Sequence, residues 1–161
     1  FLHRDGKFTR GKGLFSVTKW IPQAEPPDEE YPFVLSTGRR LWHYHSGTQT
    51  RNSVGFDNIF GEELLEVSPE DAAKMNVKTG DMVKATSRRG SIILKAWVTE
   101  RSAPGVAWCA FHFAEACGNV LTIDRFDSVT ETAEYKACAI KIEKVGDGES
   151  IGSKFLRQAR P

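Results

Sequence analysis

Six short apolar segments alternate with polar turns along the chain, and each has the length of a β-strand. Within them, apolar side chains recur at every second position or form a short continuous run, which is the pattern of strands that bury one or both faces. Their spacing of about 10 to 20 residues favours a small closed barrel over a doubly wound sheet. The predicted strands are 31–36, 62–67, 82–87, 91–99, 106–111 and 137–145.

One segment between the second and third strands has the pattern of a helix. In "SPEDAAKMN", Ser68 can cap the amino terminus, Pro69 suits the first helical position and Asp71 completes a capping box. Two alanines and a methionine then supply an apolar stripe. The sequence "RRG" at 88–90 separates two strand patterns and predicts a hairpin turn. The chain is therefore predicted to be mainly β with short helices.

The two ends of the chain differ in composition from the middle. Residues 1–30 are rich in Gly, Lys and Pro, and the prolines disfavour helix, so we expect an extended lead-in that lies on a partner domain or is loose. Residues 31–145 hold the predicted barrel. Residues 146–161 are polar and are expected to form a mobile tail. Because the chain begins with Phe1, we expect a piece of a longer protein or a processed one.

Charge and hydropathy argue against two classes of partner. The 22 basic and 21 acidic residues give a formal net charge of +1, whereas a nucleic-acid-binding domain usually carries a strong excess of basic residues. The sequence contains no run of about 18 apolar residues, which is the length that spans a bilayer as a helix. We therefore expect neither nucleic acid as a partner nor insertion into a membrane.

The three cysteines, Cys109, Cys117 and Cys138, do not form a recognisable metal or disulfide framework. Their number is odd, no CxxC pair occurs, and the ligands of an iron–sulfur cluster are missing. We expect structural thiols, since free cysteine is among the most buried residue types. His43 and His45 are also possible metal ligands, but two imidazoles are too few for a site, so no metal ligand is predicted.

The richest chemistry follows the first strand, in "STGRRLWHYHSGTQTR". Gly38 allows a sharp turn that presents backbone N–H groups outward, and Arg39 and Arg40 offer planar guanidinium groups that match phosphate oxygens. The nearby hydroxyls can donate to phosphate or sugar, and two histidines flank Tyr44. Two interpretations remain open: a cradle for a bulky, polyanionic and partly aromatic ligand, or a solvated surface loop with scattered charges.

Two later segments carry weaker signals. In "FHFAEACGNVLT", Phe111 and His112 are more simply explained by packing, and Asn119 is either a turn residue or an amide that reads the edge of a heterocycle. In "AEYKACA", Tyr135 and Lys136 enter the last strand, where Lys136 has the alternative role of an edge residue that prevents strand pairing. The sequence lacks a nucleophile elbow, a dinucleotide fingerprint and a Walker motif, so no catalytic residue is predicted.

Four segments, in this order and at this spacing, resemble the C-terminal molybdopterin-dinucleotide-binding domain of the large molybdenum or tungsten oxidoreductases, and that of the formate dehydrogenase catalytic (alpha) subunit in particular. They are "STGRRLWHYHSGTQTR", "EVSPEDAAKMNVKTGDMVKATSRRGSI", "VTERSAPGVAWCAFHFAEACGNVLT" and "EYKACAIKIEKV". The resemblance covers approximately residues 1–145. The fold that it implies is a six-stranded double-psi β-barrel with short helices, which agrees with the strand pattern.

The resemblance also implies which residues contact the cofactor. The turn after the first strand and the loop beyond it would contact the phosphates and the pterin: Thr37, Gly38, Arg39, His43, Tyr44, His45, Ser46 and Thr48. Phe111, His112 and Asn119 would line the pterin or the guanine. Tyr135 and Lys136 would close over the cofactor from the last strand. The family's metal ligand and catalytic residues match no position of this chain.

The function that the resemblance implies is cofactor binding within a molybdenum or tungsten formate dehydrogenase, which oxidises formate to CO2. The cofactor would be bis-molybdopterin guanine dinucleotide, shared with upstream domains of the same polypeptide. Iron–sulfur electron-transfer subunits are expected as further partners. The fragment alone would be inactive, because the metal ligand belongs to the upstream domains. We expect it in the cytoplasm, with the periplasm as the alternative.

Two other functions stay open. Periplasmic nitrate reductases and other oxyanion oxidoreductases share the first segment, although their later segments resemble "PWF" and "DFKKCA", where this chain has "AFHF" and "EYKACA". The chain also departs from the formate dehydrogenase pattern at Gln49, Gly118 and Ala133. The second alternative is a barrel without a cofactor, whose aromatic residues dock a partner protein.

Overall fold

The computed structural model describes residues 3–148. The strands are β1 (Phe33–Gly38), β2 (Leu64–Val67), β3 (Met82–Thr86), β4 (Ser91–Val98), β5 (Val106–Ala110) and β6 (Cys138–Gly146), and the helices are α1 (Val54–Ile59) and α2 (Pro69–Lys74). All six predicted strands are present, and their ends differ from the prediction by at most two residues.

The strands close into a barrel in the order β1-β5-β2-β4-β3-β6. Strands β1 and β5 are parallel, as are β2 and β4, and the other pairs are antiparallel. Closure gives every strand a neighbour on both sides. A closed six-stranded barrel that interleaves two parallel pairs with antiparallel pairs confirms the predicted double-psi β-barrel.

Side chains from the strands fill the interior of the barrel. Leu35, Leu65, Val83, Ala107 and Ile140 are each fully buried there. Strands β3 and β4 alternate between more and less buried positions over most of their length, so each presents one face inward. Each large aliphatic side chain buried in this way contributes roughly 1.5–3 kcal/mol to folding. The strand ends from which the polar segments emerge are therefore firmly placed.

The cysteines take structural places in this core. Cys109 and Cys138 are buried free thiols, and Cys117 is half-buried. Burial raises the pKa of Cys109 well above its usual value and that of Cys138 to about 11. Both thiols therefore remain protonated and unreactive at neutral pH.

Helix α2 begins at the predicted residues, but its first turn differs from the predicted capping box. The Ser68 hydroxyl accepts the backbone N–H of Asp71 at 3.1 Å, with Pro69 in the first turn. The Asp71 carboxylate accepts the Ser68 hydroxyl and the backbone N–H of Gly105, each at 2.7 Å. In a capping box it would instead return to the backbone N–H of Ser68. Asp71 thus ties α2 to the turn before β5.

The part of the lead-in nearest the barrel is attached to it. Glu25 binds the guanidinium of Arg89 through both carboxylate oxygens, and its Oε1 also accepts the backbone N–H of Ala139 at 3.0 Å. Residues 3–22 are exposed. Most of the predicted tail, from residue 149 onward, lies outside the described residues. Within residues 3–148, no helix is long and apolar enough to cross a bilayer.

Candidate cofactor-binding site

Strand β1 ends in a turn that presents Arg39 to solvent. A Cβ on Gly38 would lie 2.6 Å from the Trp108 indole, so the close approach of these two strands requires glycine. The guanidinium of Arg39 lies over the Phe111 ring, 5.3 Å from its centroid. Across residues 3–148, no carboxylate forms an ion pair with Arg39. This cation is therefore available to an external anion.

The segment before β6 is hydrogen-bonded to the end of β1. Thr37 is buried, and its hydroxyl donates to the backbone carbonyl of Tyr135 at 2.6 Å. The exposed Lys136 in turn donates from Nζ to the backbone carbonyl of Thr37 at 2.6 Å. Lys136 and Arg39 therefore lie at the same end of β1. Because β6 is paired on both sides, Lys136 has no open strand edge to protect.

The loop after the turn is anchored by His43. The ring of His43 is buried, with Nδ1 3.2 Å from the Thr50 hydroxyl oxygen and Nε2 2.5 Å from the Phe60 carbonyl oxygen. Four candidate residues of this loop are exposed: Tyr44, His45, Ser46 and Thr48. The hydroxyls of Ser46 and Thr48 make no hydrogen bond within the described part of the chain. The loop is thus held in place by His43, and it offers free hydroxyl donors on its exposed side.

His112 joins this loop to the end of β5. Its Nε2 accepts the backbone N–H of Arg40 at 2.8 Å, so the ring proton lies on Nδ1, which donates to the backbone carbonyl of His45. Burial lowers the pKa of His112 below its usual value, which favours the neutral ring. Both ring nitrogens are therefore used within the chain, and His112 holds two segments together.

Asn119 follows a close contact between Gly118 and β5. A Cβ on Gly118 would lie 2.8 Å from both the Ala110 carbonyl oxygen and the Cys109 sulfur. Ala110 is paired with Gly38 in the β1–β5 register. The exposed Asn119 is thus held near the end of β1 that carries Arg39.

A buried ionic cluster, which the sequence interpretation missed, lies beneath these exposed groups. The guanidinium of Arg40 is hydrogen-bonded to Glu66 and packed against Trp108 and Phe60, at 4.2 and 4.6 Å from their ring centroids. Glu63 lies 4.0 Å away, measured from its Oε1 to Nη2 of Arg40. Burial lowers the pKa of Arg40, and the two carboxylates oppose this effect.

Glu63 is the carboxyl group of this cluster that lies farther from the Arg40 guanidinium. Its Oε1 accepts the backbone N–H groups of Leu64 at 3.1 Å and Ala110 at 2.9 Å. Burial nevertheless raises the pKa of Glu63 to about 7. Its Oε2 has no hydrogen-bond partner among the described residues. Glu63 thus supports the last residue of β5 with one oxygen and leaves the other unpaired.

One sequence signal for this cluster exists. Glu63 precedes and Glu66 lies within the segment "LLEV", whose four residues are all buried. A carboxylate in a strand that is buried on both faces requires a partner, which makes a buried cation a reasonable expectation. The sequence does not identify that cation as Arg40.

The exposed groups at this end of the barrel form a set of hydrogen-bond donors suited to an anion. They are two cations, two hydroxyls and one amide: Arg39, Lys136, Ser46, Thr48 and Asn119. Nearby carboxylates are directed elsewhere, since Glu134 accepts the backbone N–H of Ala24 and Glu115 pairs with Arg51.

Aromatic rings complete the set with flat surfaces. Phe111 lies beneath Arg39, and Tyr44 is exposed on the neighbouring loop. Cations and hydroxyls beside aromatic faces fit phosphate groups joined to a flat heterocycle. Residues 3–148 contain no group of three or more His, Cys, Asp or Glu side chains placed to hold a metal ion. The donor set therefore fits the dinucleotide portion of a pterin cofactor.

These features describe a closed barrel whose exposed donor groups suit an anionic, nucleotide-like ligand. The sequence model of the molydopterin dinucleotide binding domain matches residues 33–139. The match covers about two thirds of the chain. The chain belongs to this family, and its cofactor is accordingly a molybdopterin.

Curated relatives include subunits of formate dehydrogenases. The chain is 42% identical over 145 residues to the F420-dependent formate dehydrogenase subunit alpha of Methanocaldococcus jannaschii, which covers 89% of this chain and 22% of that protein. It is 40% identical over 138 residues to a nitrate reductase of Symbiobacterium thermophilum, covering 83% of this chain and 18% of that protein. The chain thus spans about a fifth of the length of the curated relatives that it matches.

A solved structure agrees on the fold. Acetylene hydratase from Pelobacter acetylenicus matches with a TM-score of 0.64 and 13% sequence identity, over 73% of this chain and 19% of that chain. At this identity the likeness concerns the fold alone. It supports the closed barrel described above.

Proposed function

We propose that this chain binds bis-molybdopterin guanine dinucleotide, carrying molybdenum or tungsten, within the catalytic subunit of a formate dehydrogenase. The observation that carries the proposal is the position of Arg39 and Lys136. Both cations are exposed at one end of β1, and neither pairs with a carboxylate among residues 3–148. Family membership supports the cofactor, and relatives named as formate dehydrogenase subunits, 42–43% identical, support the enzyme.

The candidate residues divide into two roles according to their exposure. The accessible or half-exposed residues contact the cofactor directly: Arg39, Tyr44, His45, Ser46, Thr48, Phe111, Asn119, Tyr135 and Lys136. The buried residues hold these groups in place from within the chain: Thr37, Gly38, His43 and His112. Guanidinium and ammonium groups neutralise the phosphates, and the aromatic faces carry the flat rings.

The chain's contribution to the reaction is to bind and orient. When the cofactor is bound, its metal supplies the redox chemistry of formate oxidation. Arg39 and Lys136 hold the phosphates, and the loop hydroxyls fix the sugar and phosphate oxygens. The metal ligand belongs to upstream domains of the same polypeptide, with iron–sulfur subunits as electron-transfer partners. The chain alone is therefore expected to bind cofactor without turning over formate.

A nitrate reductase is the second candidate, because a relative of that name is 40% identical to the chain. A dinucleotide site does not choose between the two enzymes, because relatives of both names match this chain. Assaying the intact enzyme that contains this chain with formate and with nitrate distinguishes the two. Turnover of nitrate without turnover of formate would replace formate dehydrogenase by nitrate reductase and leave the cofactor site in place.

The cofactor site is tested by nuclear magnetic resonance on the 15N-labelled chain, with GDP and extracted molybdopterin guanine dinucleotide as probes. We expect amide shifts at Arg39, Ser46, Thr48 and Asn119. Arg39→Ala should weaken binding about 10- to 100-fold while the chain stays folded, because a charge-assisted hydrogen bond contributes about 1.5–3 kcal/mol.

The matched control is Arg10→Ala, which removes an exposed cation of the lead-in and should leave binding unchanged. If neither probe shifts these amides, the cofactor site is wrong and the cofactor-free docking barrel becomes the better hypothesis. If Arg10→Ala weakens binding as much as Arg39→Ala, the effect is one of overall charge and the assigned role of Arg39 is wrong.

A further inference from the structure

The buried cluster beneath the site contains more negative than positive groups. The side chains of Arg40, Glu63 and Glu66 are 4%, 0% and 4% exposed. One guanidinium thus faces two carboxyl groups away from water, and an excess negative charge is costly there. Arg101 approaches Glu66 to 3.9 Å but is itself exposed, so solvent screens its effect on Glu63. Charge balance therefore favours a proton on one of the two carboxyl groups.

Glu63 is the group of this cluster that is placed to take the proton. Glu66 is directly hydrogen-bonded to Arg40, whereas Glu63 lies at 4.0 Å and leaves Oε2 without a hydrogen-bond partner among the described residues. Burial raises the pKa of Glu63 to about 7, and the negative charge of Glu66 acts in the same direction. Cys109 on β5 also faces Glu63, as an uncharged thiol.

A surface groove passes next to Glu63. The groove has a volume of about 210 Å3, and Glu63 forms part of its wall. The other charged residues in that wall are Glu62 and Lys95, which pair with each other, and Glu115, which pairs with Arg51. Because these charges are already neutralised, Arg40 and Glu66 remain the main charges that act on Glu63. The groove provides a route for proton exchange without exposing the carboxyl group.

Glu63 contacts both segments that carry the cofactor-binding groups. Its Oε1 accepts the N–H of Ala110, the residue immediately before Phe111. Its charge acts on Arg40, whose backbone N–H is bound to His112 and which directly follows Arg39. A change in the charge of Glu63 therefore acts on both partners of the Arg39–Phe111 contact at once.

We propose that Glu63 is a positioning residue whose gain or loss of one proton adjusts the placement of Phe111 against Arg39. In the ionised form, the carboxylate binds the Ala110 N–H more strongly and attracts Arg40. In the protonated form, the positive and negative charges of the cluster are equal in number, so its negative electrostatic field at the anion site is weaker. The consequence for ligand binding rests on the proposed function: phosphate groups bind more tightly when Glu63 carries its proton.

The first experiment needs no ligand. The chain, labelled with 13C at glutamate carboxyl groups and with 15N at amides, is titrated between about pH 5 and about pH 9. We expect the Glu63 carboxyl and the Ala110 amide to change with one shared midpoint near neutrality. Glu63→Gln should abolish that change at Ala110, whereas Glu62→Gln, the same substitution one residue earlier, should leave it intact.

Three results would overturn the proposal: no titration of Glu63 in this range, titration of Glu63 without a response at Ala110, or an unchanged Ala110 response in Glu63→Gln. The shared midpoint is measured on the unsubstituted chain, so it decides the question even if Glu63→Gln fails to fold.

The second experiment measures GDP affinity against pH. The chain should bind GDP about threefold more tightly once Glu63 is protonated, as expected for one charge acting at a distance through the protein. Glu63→Gln should lose this component, and Glu62→Gln should keep it. An identical pH dependence in the chain and in Glu63→Gln would refute the effect on binding. If GDP binds at no pH, the proposed function fails, and the ligand-free titration still decides the role of Glu63.

Discussion

The backbone N–H of Arg40 donates to Nε2 of His112 at 2.8 Å, and this hydrogen bond joins the turn after β1 to the segment after β5. The opposite ring nitrogen donates to the carbonyl of His45. One buried imidazole therefore fixes the relative positions of two segments that carry groups proposed to bind the cofactor. The structure assigns His112 a supporting place beneath the surface that is proposed to contact the cofactor.

Replacing His112 by alanine should destabilise the chain by about 1–3 kcal/mol at about pH 8, because the buried N–H of Arg40 loses its acceptor. Burial lowers the pKa of His112 below its usual value of 6.5. The stabilisation that the neutral ring provides is therefore fully present above pH 6.5 and is lost as the pH falls below 6.5. Urea unfolding of both chains should therefore show a difference that shrinks towards about pH 5. A difference that is independent of pH would contradict the neutral, hydrogen-bonded ring.

Much of the barrel could be predicted from the sequence because its strands carry local signals. Strands β3 and β4 are short, mostly apolar segments, and the turn between them is charged and contains Gly90. Helix α1 gave no such signal: "VGFDNI" contains a glycine, and none of its residues is buried. Its neighbour Arg51 lies 3.6 Å from Asp57, between Nε and Oδ1, and also pairs with Glu115, which lies 64 residues further along the chain. The position of α1 therefore depends on tertiary contacts that no local pattern records.

The different positions of Arg39 and Arg40, one exposed and the other buried, could not be predicted from the sequence. The two residues are chemically identical neighbours, yet Arg39 is exposed and Arg40 is buried. Arg40 turns inward because Glu63 and Glu66 lie buried there as its partners. Both glutamates follow Arg40 by more than 20 positions in the sequence. Identifying Arg39 as a candidate ligand-binding cation required only local chemistry, whereas identifying the cluster beneath it requires the fold.

Gly38→Ala should destabilise the chain by about 1–3 kcal/mol through overpacking. The new Cβ would lie 2.6 Å from the Trp108 ring, which Arg40 holds in place. Gly146→Ala is the matched control, since nothing lies within 4 Å of a Cβ there. Adding Trp108→Leu should relieve part of the cost of Gly38→Ala. In thermal or urea unfolding, the double variant should therefore lose less stability than the sum of the losses in the two single variants. Strict additivity would show that the clash is relaxed elsewhere.

Glu25→Ala should release the attached part of the lead-in from the barrel. The substitution removes the acceptor of the Ala139 N–H and the partner of Arg89, so this segment should open more often. Limited proteolysis with proteinase K should then cut between residues 20 and 31 several-fold faster. Glu29→Ala, an exposed residue of the same segment, should leave the rate unchanged. Equal rates in both variants would mean that Glu25 does not hold the lead-in on the barrel.

Glu63→Gln should change how the stability of the chain depends on pH. The folded-state pKa of about 7 lies above the usual 4.5, so the folded chain holds more protons between these values. Its stability should fall as the pH rises through this window, by up to about 3 kcal/mol. Glutamine keeps the oxygen that accepts the Leu64 and Ala110 N–H groups but cannot ionise. In urea unfolding, the stability of Glu63→Gln relative to the unsubstituted chain should therefore rise from pH 4.5 to pH 7. The contribution of His112 cancels in this comparison, so a constant difference would mean that folding does not raise the pKa of Glu63.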